Sequence, residues 1–410
     1  MKTASVAGAA WLAWEETRRL AAAFERADAR LRFVGGAVRD TLLGIEVTEA
    51  DACTALLPEE TLHLLEDAGI RAVPTGIDHG TVTAVIGRRG FEVTTLRADV
   101  ACDGRHARVA YTDEFAEDAA RRDFTINALY ATPAGMVEDY VGGLADLRAQ
   151  RLCFIGNAQA RVMEDHLRIL RYYRFGAQLG WKLQEESARA ACRAHAAHIA
   201  RLSGERIRRE MLKMFAVPKL DDAAFSQMRE DGVLPYCMGA PEEVRTAPLV
   251  ALEASLRIPP DGLRRLAFAL QKSASPLARL AWLKERWKLS NAQSDTLRLL
   301  LLPPTGLTHD TLPAMQKRLL RRVGKARFID LVLLACARAE ARHDAAYGAM
   351  LQLAETWRPP VFPVNGEDLL ARGFSSGKAL GDALRQLEAM WEEEDYRPDK
   401  EALLKRLPRH

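Results

Sequence analysis

The hydrophobic pattern of this 410-residue chain changes character near residue 150. Before that point, alternating segments typical of strands, such as residues 81–86 and 91–96, lie among helical segments. From residue 158 onward the strand signals vanish, and prolines and glycines divide a continuous helical pattern. The sequence therefore predicts a mixed α/β region followed by an all-helical remainder.

This change of pattern suggests four parts. The α/β region is a head, the next three predicted helices form a neck, and proline-punctuated helical pairs form a body and a tail. The expected boundaries are residues 1–150 for the head, 151–215 for the neck, 216–330 for the body and 331–410 for the tail.

A glycine pair ends the first predicted strand of the head. Residues 32–40 read Arg-Phe-Val-Gly-Gly-Ala-Val-Arg-Asp, so the chain turns at Gly35 and Gly36 and then enters a helix. Glycines let backbone N–H groups approach a phosphate, and the helix points its positive end at the same place. Arg39 could reach the same phosphates. Alone, a glycine pair before a helix usually indicates only a tight turn.

Two carboxylates, Glu49 and Asp51, follow with one residue between them. On a strand both would point to the same side, where they repel each other unless a cation lies between them. Mg²⁺ takes carboxylate oxygens together with substrate phosphates, and two such ions can activate a hydroxyl and neutralise a leaving pyrophosphate. Glu92, on a neighbouring predicted strand, is either a third ligand or a bystander. In a loop, such a pair is most often solvated.

In combination with two later motifs, these residues resemble a known family. Residues 121–128 read Arg-Arg-Asp-Phe-Thr-Ile-Asn-Ala, and residues 164–171 read Glu-Asp-His-Leu-Arg-Ile-Leu-Arg. The ordered set resembles the class II tRNA nucleotidyltransferases, the CCA-adding enzymes, whose head bacterial poly(A) polymerases share. The resemblance covers residues 31 to about 215, and beyond it only the helical character matches.

The resemblance implies a head of the polymerase-beta-like nucleotidyltransferase type followed by an all-α neck, body and tail. It implies template-independent addition of C and A, from CTP and ATP, to the 3′ end of tRNA. Glu49 and Asp51 would be the catalytic residues and would hold Mg²⁺. A poly(A) polymerase, or a partial enzyme that adds only CC or only A, is an alternative with the same chemistry.

One position departs from the family pattern. The first metal carboxylate is normally Asp, whereas this chain has Glu49, followed by Ala50 where a larger apolar residue is usual. The extra methylene could move the carboxylate by about 1 Å or more, and Mg²⁺ tolerates altered geometry poorly. Either Glu49 binds metal through an adjusted rotamer, which we favour because nothing else in the site is missing, or the protein is a catalytically weakened tRNA-binding relative.

A predicted helix over residues 161–179 carries Asp165 and Arg168. Residues i and i+3 are neighbours on one helix face, so the pair can present an acceptor beside a donor. That order matches the edges of cytosine and adenine and mismatches those of uracil and guanine, which discriminates strongly when the groups are buried. An intrahelical ion pair is the commoner outcome of this spacing. The resemblance assigns Asp165 and Arg168 to nucleotide selection.

The resemblance also assigns roles to five other residues. Arg171 and Arg174 would belong to the nucleotide pocket, and Arg122 would contact the ribose or the triphosphate. Asp123 and Asn127 would brace the pocket. The polar segment 98–118 reads as a loop, either a switch between C and A addition or an ordinary linker.

The charge is unevenly distributed. Residues 1–150 have a net charge of −8 and residues 151–410 a net charge of +11. A basic arm beside an acidic head suggests that the arm holds the acceptor arm of tRNA through its phosphates, and solvated Arg-rich helices are the alternative. The basic residues considered for this contact are Arg193, Arg201, Arg206, Arg208, Arg209 and Lys213, and then Lys317, Arg318, Arg321 and Arg322.

Several classes are disfavoured. The six cysteines form no CxxC pair and no histidine cluster accompanies them, which argues against structural zinc and disulfides and favours a reducing cytoplasm. No apolar run approaches the roughly 18 to 20 residues that span a bilayer. The sequence suggests no membrane association and no stable protein partner.

Overall fold

The computed structural model describes residues 4–98, 110–239, 243–271, 273–339 and 345–407, except for the side chain of residue 78. The chain divides into two compact units. The first comprises residues 1–210 and 227–237, and the second comprises residues 211–226 and 238–410. In the described ranges, no helix is both long enough and apolar enough to cross a membrane.

The described strands all belong to the first unit. They are β1 (Leu31–Val34), β2 (Ala52–Thr54), β3 (Arg71–Gly76), β4 (Thr81–Ile86), β5 (Arg89–Thr95), β6 (Arg97–Ala98), β7 (Ala110–Tyr111), β8 (Leu129–Ala131) and β9 (Val137–Asp139). Seven form a sheet in the order β3-β4-β5-β2-β1-β8-β9, and β6 pairs with β7. Neighbours in the large sheet are antiparallel except β2 and β5, which run parallel and therefore begin at the same edge.

The helices of the first unit cover the sheet and continue beyond it. They are α1 (Glu15–Arg26), α2 (Gly36–Leu42), α3 (Pro58–Asp67), α4 (Phe115–Ala120), α5 (Gly143–Arg148), α6 (Ala158–Glu164), α7 (Leu167–Leu179) and α8 (Glu186–His195), with 3₁₀ turns at Ala10–Ala13, Ile77–His79, Thr125–Asn127 and Ala196–Arg201. The division between the units falls within α9 (Gly204–Phe215), α10 (Ala223–Glu230) and α11 (Leu234–Met238).

The regular elements described in the second unit are all helices. Its helices are α12 (Ala247–Leu256), α13 (Gly262–Leu270), α14 (Pro276–Trp287), α15 (Asn291–Leu301), α16 (Pro313–Val323), α17 (Lys325–Arg338), α18 (Ala345–Thr356), α19 (Gly366–Leu370), α20 (Lys378–Glu393) and α21 (Lys400–Leu404). Glu253 and Arg265, each 1% exposed, form an ion pair in its interior. The predicted fold class, an α/β head followed by a helical remainder, is confirmed.

Two local predictions are wrong. The helix expected over residues 161–179 is interrupted, because Asp165 has an extended backbone and its side chain accepts a hydrogen bond from the N–H of Leu167 at 3.0 Å. Such local side-chain capping competes with helix continuation. The loop expected over residues 98–118 contains β7 and most of α4, and residues 99–109 lie outside the described residues.

Candidate functional site

The glycine turn joins β1 to α2 at the centre of the large sheet. Gly35 has φ +73°, a conformation that L side chains rarely adopt, and its N–H donates to the carbonyl of Leu129 at 3.1 Å. A Cβ at Gly35 would lie 3.5 Å from the carbonyl oxygen of Asn127 and 3.9 Å from Nη1 of Arg122. The backbone turn and Arg122 are therefore neighbours, and α2 starts at Gly36.

The predicted acidic residues lie beside this turn. The carbonyl of Asp51 accepts the N–H of Val34 at 2.9 Å, so Asp51 is paired with the last residue before Gly35. Because Ala52 pairs with Val93 in parallel register, the preceding residues lie side by side, Asp51 just before β2 and Glu92 within β5. Both are exposed, as is Glu49. The expectation that Glu49 and Asp51 share a strand is wrong, since β2 begins only at Ala52.

The three carboxylates influence one another electrostatically. Desolvation by the surrounding protein, followed by the charges of Glu92 and Glu49, raises the pKa of Asp51 to about 6, while Arg122 opposes the rise. Within the described ranges, no Lys or Arg side chain forms an ion pair with these three acids. The site is thus a set of oxygen donors with mutual repulsion. It is not a closed three-ligand cluster, since among the described residues only three histidines bring their ligand atoms within 4.8 Å of one another.

Arg122 is held by a buried carboxylate that the sequence analysis did not single out. Asp118, 1% exposed, accepts hydrogen bonds from Arg121, Arg122 and the hydroxyl of Tyr130 at 2.5 to 3.0 Å. Burial raises the pKa of Asp118, but Arg122, Arg121 and Tyr130 outweigh it and lower the pKa to about 2. The sequence contains a signal for this pairing, because Asp118 precedes Arg121 and Arg122 by three and four residues, a spacing that brings side chains together on a helix.

A chain of hydrogen bonds links α2 to α7 behind the turn. Arg39, only 3% exposed, donates to Asp40 at 2.8 Å and to Oδ1 of Asn127 at 2.6 Å. Asn127 donates to Asp123 at 3.2 Å, and Asp123 accepts a bond from Arg171 at 2.7 Å. The guanidinium of Arg39 is therefore committed to protein partners, which contradicts the expectation that it reaches the phosphates directly.

The third arginine of α7 is also internally paired. Arg174, 7% exposed, donates to Glu210 at 2.5 Å, and its guanidinium lies 4.0 Å from the centroid of the Phe175 ring. The guanidinium carbons of Arg39 and Arg171 lie 5.1 and 5.4 Å from the same centroid. Three cations around one phenyl ring make Phe175 a shared packing surface for this network.

The predicted selection pair is separated in this structure. Oδ2 of Asp165 accepts a hydrogen bond from Arg206 at 2.7 Å, whereas Arg168 donates to Glu164 at 2.5 Å and to the carbonyl of Arg121 at 3.2 Å. Asp165 lies before α7 rather than within it, so the expected side-by-side pair on one helix face is wrong in this detail. Asp165 and Arg168 do lie within one turn of each other, joined by the hydrogen bond from the N–H of Arg168 to the carbonyl of Asp165 at 3.0 Å.

Several of the basic residues expected to hold RNA have acidic partners. Lys317 pairs with Asp395 at 2.8 Å, and Arg321 pairs with Glu388 and Glu392 at 2.5 and 2.8 Å. In the first unit, Arg193 pairs with Glu186 and Asp231. These contacts reduce the positive charge that the sequence alone suggested for the two clusters.

The sequence shows no histidine cluster beside the cysteines, but three histidines meet in the folded first unit. His166, His195 and His198 offer ring nitrogens that all lie within 4.8 Å of one another. The spacing of His195 and His198 by three residues was visible in the sequence, but His166 comes from the α6–α7 junction and joins them only in the folded unit.

Comparison with known proteins identifies the class of protein to which this fold belongs. A family model described as "Poly A polymerase head domain" matches residues 31–153, and one described as "Probable RNA and SrmB- binding site of polymerase A" matches residues 184–242. The crystal structure of the Bacillus stearothermophilus CCA-adding enzyme in complex with CTP aligns with a TM-score of 0.75 and 26% identity, covering 96% of this chain and 97% of that one. The fold and site thus define a nucleotidyltransferase with a polymerase-type head.

Two curated relatives narrow the class. The mitochondrial CCA tRNA nucleotidyltransferase 1 of Danio rerio is 32% identical over 95% of this chain and 89% of its own length. A CCA-adding enzyme of Latilactobacillus sakei is also 32% identical, over 91% of this chain and 92% of its own. The chain belongs to the family of CCA-adding tRNA nucleotidyltransferases, as the motifs predicted. Nucleotidyltransferases of this kind generally use divalent metal ions.

Proposed function

We propose that this protein adds C and A, from CTP and ATP, to the 3′ end of tRNA without a nucleic-acid template and releases pyrophosphate. The observation that carries the proposal is the position of Asp51, flanked by Glu92 and Glu49, immediately beside the Gly35 turn. Phosphoryl transfer is catalysed mainly by positioning and by neutralising charge, and this edge of the sheet offers both.

Each residue near the turn has a role in this proposal. The backbone at Gly35 and Gly36 approaches the triphosphate, and Arg122, fixed by Asp118, contacts the ribose or the triphosphate. Arg39 acts through Asn127 rather than on the phosphates, because its guanidinium is already bonded. Asp123 and Asn127 brace the pocket by tying α2 to α7 through Arg171.

The three neighbouring carboxylates of Glu49, Asp51 and Glu92, called the acidic edge below, are suited to binding Mg²⁺. Exposed carboxylates that repel one another, and that form no ion pair with a cation among the described residues, are the donor type that this ion takes, together with substrate phosphates. Glu49 and Asp51 are the proposed ligands, and Glu92 supports them. When bound, Mg²⁺ would neutralise phosphate charge and activate the attacking hydroxyl. Asp51 itself must be ionised for this role, and its pKa of about 6 leaves it ionised at pH 7.

Nucleotide selection is proposed to involve Asp165 and Arg168, with Arg171 and Arg174 in the pocket. Asp165 is bonded to Arg206 in the described structure, so the base would replace Arg206 as the partner of the carboxylate. A carboxylate accepts from the exocyclic amino group of cytosine or adenine, and a guanidinium donates to the adjacent ring nitrogen. Arg171 and Arg174 hold α7 in place through Asp123 and Glu210.

The test is an incorporation assay on a tRNA that lacks its 3′ CCA, with each labelled nucleotide in turn, with and without Mg²⁺. The expected product grows by C, C and A and stops. Asp67→Asn, an exposed acid on α3 outside the site, is a charge-matched control for Asp51→Asn and should keep full activity. Failure of the wild-type protein to incorporate any nucleotide would overturn the proposal.

A second candidate is a poly(A) polymerase, favoured by the family model matched at residues 31–153. The same assay separates the two, since that enzyme would extend the end with A alone and without a stop. Products that end after CC, or that require a preformed CC end, would identify a partial enzyme. A weakened RNA-binding relative would retain tRNA binding but release no pyrophosphate.

The helical regions are proposed to hold the acceptor arm of tRNA through phosphate contacts, so binding should weaken steeply with added salt.

The division into head, neck, body and tail at residues 150, 215 and 330 remains a prediction. A cytoplasmic location is likewise proposed from the cysteine pattern, although three of the curated relatives are mitochondrial proteins.

A further inference from the structure

Three histidines from neighbouring elements meet beside α7. His166 directly precedes α7, His195 is the last residue of α8, and His198 lies in the following 3₁₀ turn. The ring centroids of His166 and His198 are 4.6 Å apart, and those of His195 lie 6.0 and 5.5 Å from them. All three side chains are half-buried, and one nitrogen of each lies within 4.8 Å of the other two.

Two of these rings carry a buried nitrogen that lacks a partner. Nδ1 of His195 and Nδ1 of His198 have no hydrogen bond within the part of the chain that the structure describes. Buried polar atoms are almost always hydrogen-bonded, so two such atoms in one cluster require an explanation. A bound ion supplies one, because a metal occupies a lone pair that no protein donor uses.

The orientation of His195 supports this explanation. Its Nε2 lies 2.8 Å from Oε1 of Gln159, and an amide oxygen can only accept, so Nε2 is the donor in this contact and Nδ1 is the nitrogen available to a metal ion in the neutral imidazole. A hydrogen bond from the distal nitrogen to a carbonyl oxygen is the usual way in which a protein orients a metal-binding histidine.

We propose that His166, His195 and His198 form a binding site for one divalent transition-metal ion of the Zn²⁺ type. Three imidazoles suit Zn²⁺, Ni²⁺, Co²⁺ or Cu²⁺ and leave a further position for water, whereas Mg²⁺ prefers oxygen donors. Zn–N bonds of about 2.0 Å in a tetrahedral site place the nitrogens about 3.3 Å apart, so ring rotations draw the three together on binding. The site differs in donor type from the acidic edge at Asp51.

Occupancy of this site would fasten the α6–α7 junction to α8 and its 3₁₀ turn. Asp165, the residue before His166, lies in that junction. The ion would therefore stabilise the backbone break at Asp165 and raise the thermal stability of the protein by binding the folded form alone.

The experiment uses tag-free, metal-stripped full-length protein with Mg²⁺ in excess, so that the carboxylates do not compete. Zn²⁺ affinity is measured by competition with a chromophoric chelator. We expect one ion per chain, a loss of about 100-fold or more in affinity for His195→Asn and for His198→Asn, and a loss of about 10-fold for Gln159→Ala. His63→Gln, an exposed histidine on α3, is the matched control and should bind as the wild type does.

Two further readouts separate loss of ligand from loss of fold. Co²⁺ should give visible d–d bands without a thiolate charge-transfer band in the wild type, and His195→Asn should lose these bands. Without metal, the melting temperatures of the variants should agree with that of the wild type. When Zn²⁺ is added, only the wild type and His63→Gln should show the full increase in melting temperature. Gln159 is exposed, so its variant keeps the test valid if a histidine variant fails to fold. Equal Zn²⁺ affinity in the wild type and both histidine variants, or no binding by the wild type, overturns the proposal.

Discussion

Two groups of charges in the first unit differ in one respect, namely whether the protein itself neutralises them. At the acidic edge, Glu49, Asp51 and Glu92 are exposed and repel one another. Behind the turn, Asp118 is buried and satisfied by two arginines and a tyrosine. Unpaired charge that the fold tolerates at a cost indicates a place where a ligand completes the structure, whereas paired charge fixes geometry. Neutralising Asp51 should therefore leave the free energy of unfolding unchanged or raise it, whereas neutralising Asp118 should lower it.

The largest effect is expected for Asp51→Asn. Removing a proposed metal ligand should lower the rate of C addition by about 10³-fold, or about 4 kcal/mol in the activation barrier. The free energy of unfolding should stay constant or rise, because the repulsion by Glu92 and Glu49 is relieved. Single-turnover incorporation and urea unfolding measure the two quantities. Full activity, or a clear loss of stability, would contradict the difference between the two groups.

Asp118→Asn should show the opposite pattern in stability. The substitution leaves Arg121 and Arg122 without their buried counter-charge, and breaking such a pair costs about 3 kcal/mol. Urea unfolding of the variant beside wild type and Asp51→Asn gives the comparison. If Asp118→Asn unfolds at the wild-type urea concentration, the buried group is not the structural anchor that its contacts suggest.

Asp165→Ala tests a residue that combines the two behaviours, since its carboxylate is paired but partly exposed. We expect UTP incorporation to rise about 100-fold relative to CTP, because the acceptor that rejects uracil is gone. Arg206→Gln removes the same ion pair but keeps the carboxylate, and is the control that should continue to exclude UTP. Unchanged use of all three nucleotides by Asp165→Ala would remove this residue from selection.

The pH dependence of stability should distinguish the two groups. The pKa of Asp51 is raised to about 6 in the folded protein, so the folded form takes up the proton first and stability rises as the pH falls from about 6 towards 4. The pKa of Asp118 is lowered to about 2, so its contribution is lost as the pH falls from about 4 towards 2. Urea unfolding measures the free energy of unfolding at pH 7 and at pH 5. The difference between the two values should be smaller for Asp51→Asn than for the wild type. An identical difference would show that Asp51 is not the group whose raised pKa causes the change.

The smallest effect is expected for Glu49→Asp. Glu49 precedes β2 in a loop, where its longer side chain can adjust, so shortening it should keep turnover within about 3-fold of the wild type or raise it. Steady-state addition of C and of A measures the change. A sharp loss would show that Glu49 is not a metal ligand in the proposed manner.

Much of the first unit was predictable because its signals are local. The alternation at residues 81–96 gives a hairpin, and the turn at Gly35 follows from a glycine pair after a strand. The break at Asp165 was not predicted, since helical periodicity continues through it and only the side-chain cap on Leu167 reveals it. Partners distant in sequence, such as Glu210 for Arg174 and His166 for His198, depend on tertiary packing that no local pattern encodes.

The single parallel pairing in the large sheet has a practical consequence for protein engineering. Asp51 and Glu92 are adjacent because each directly precedes a paired residue of β2 or β5. Deleting one residue within either strand would turn one carboxylate to the opposite face. A reporter peptide spliced between Gly87 and Arg88, in the exposed turn before β5, would leave that register untouched.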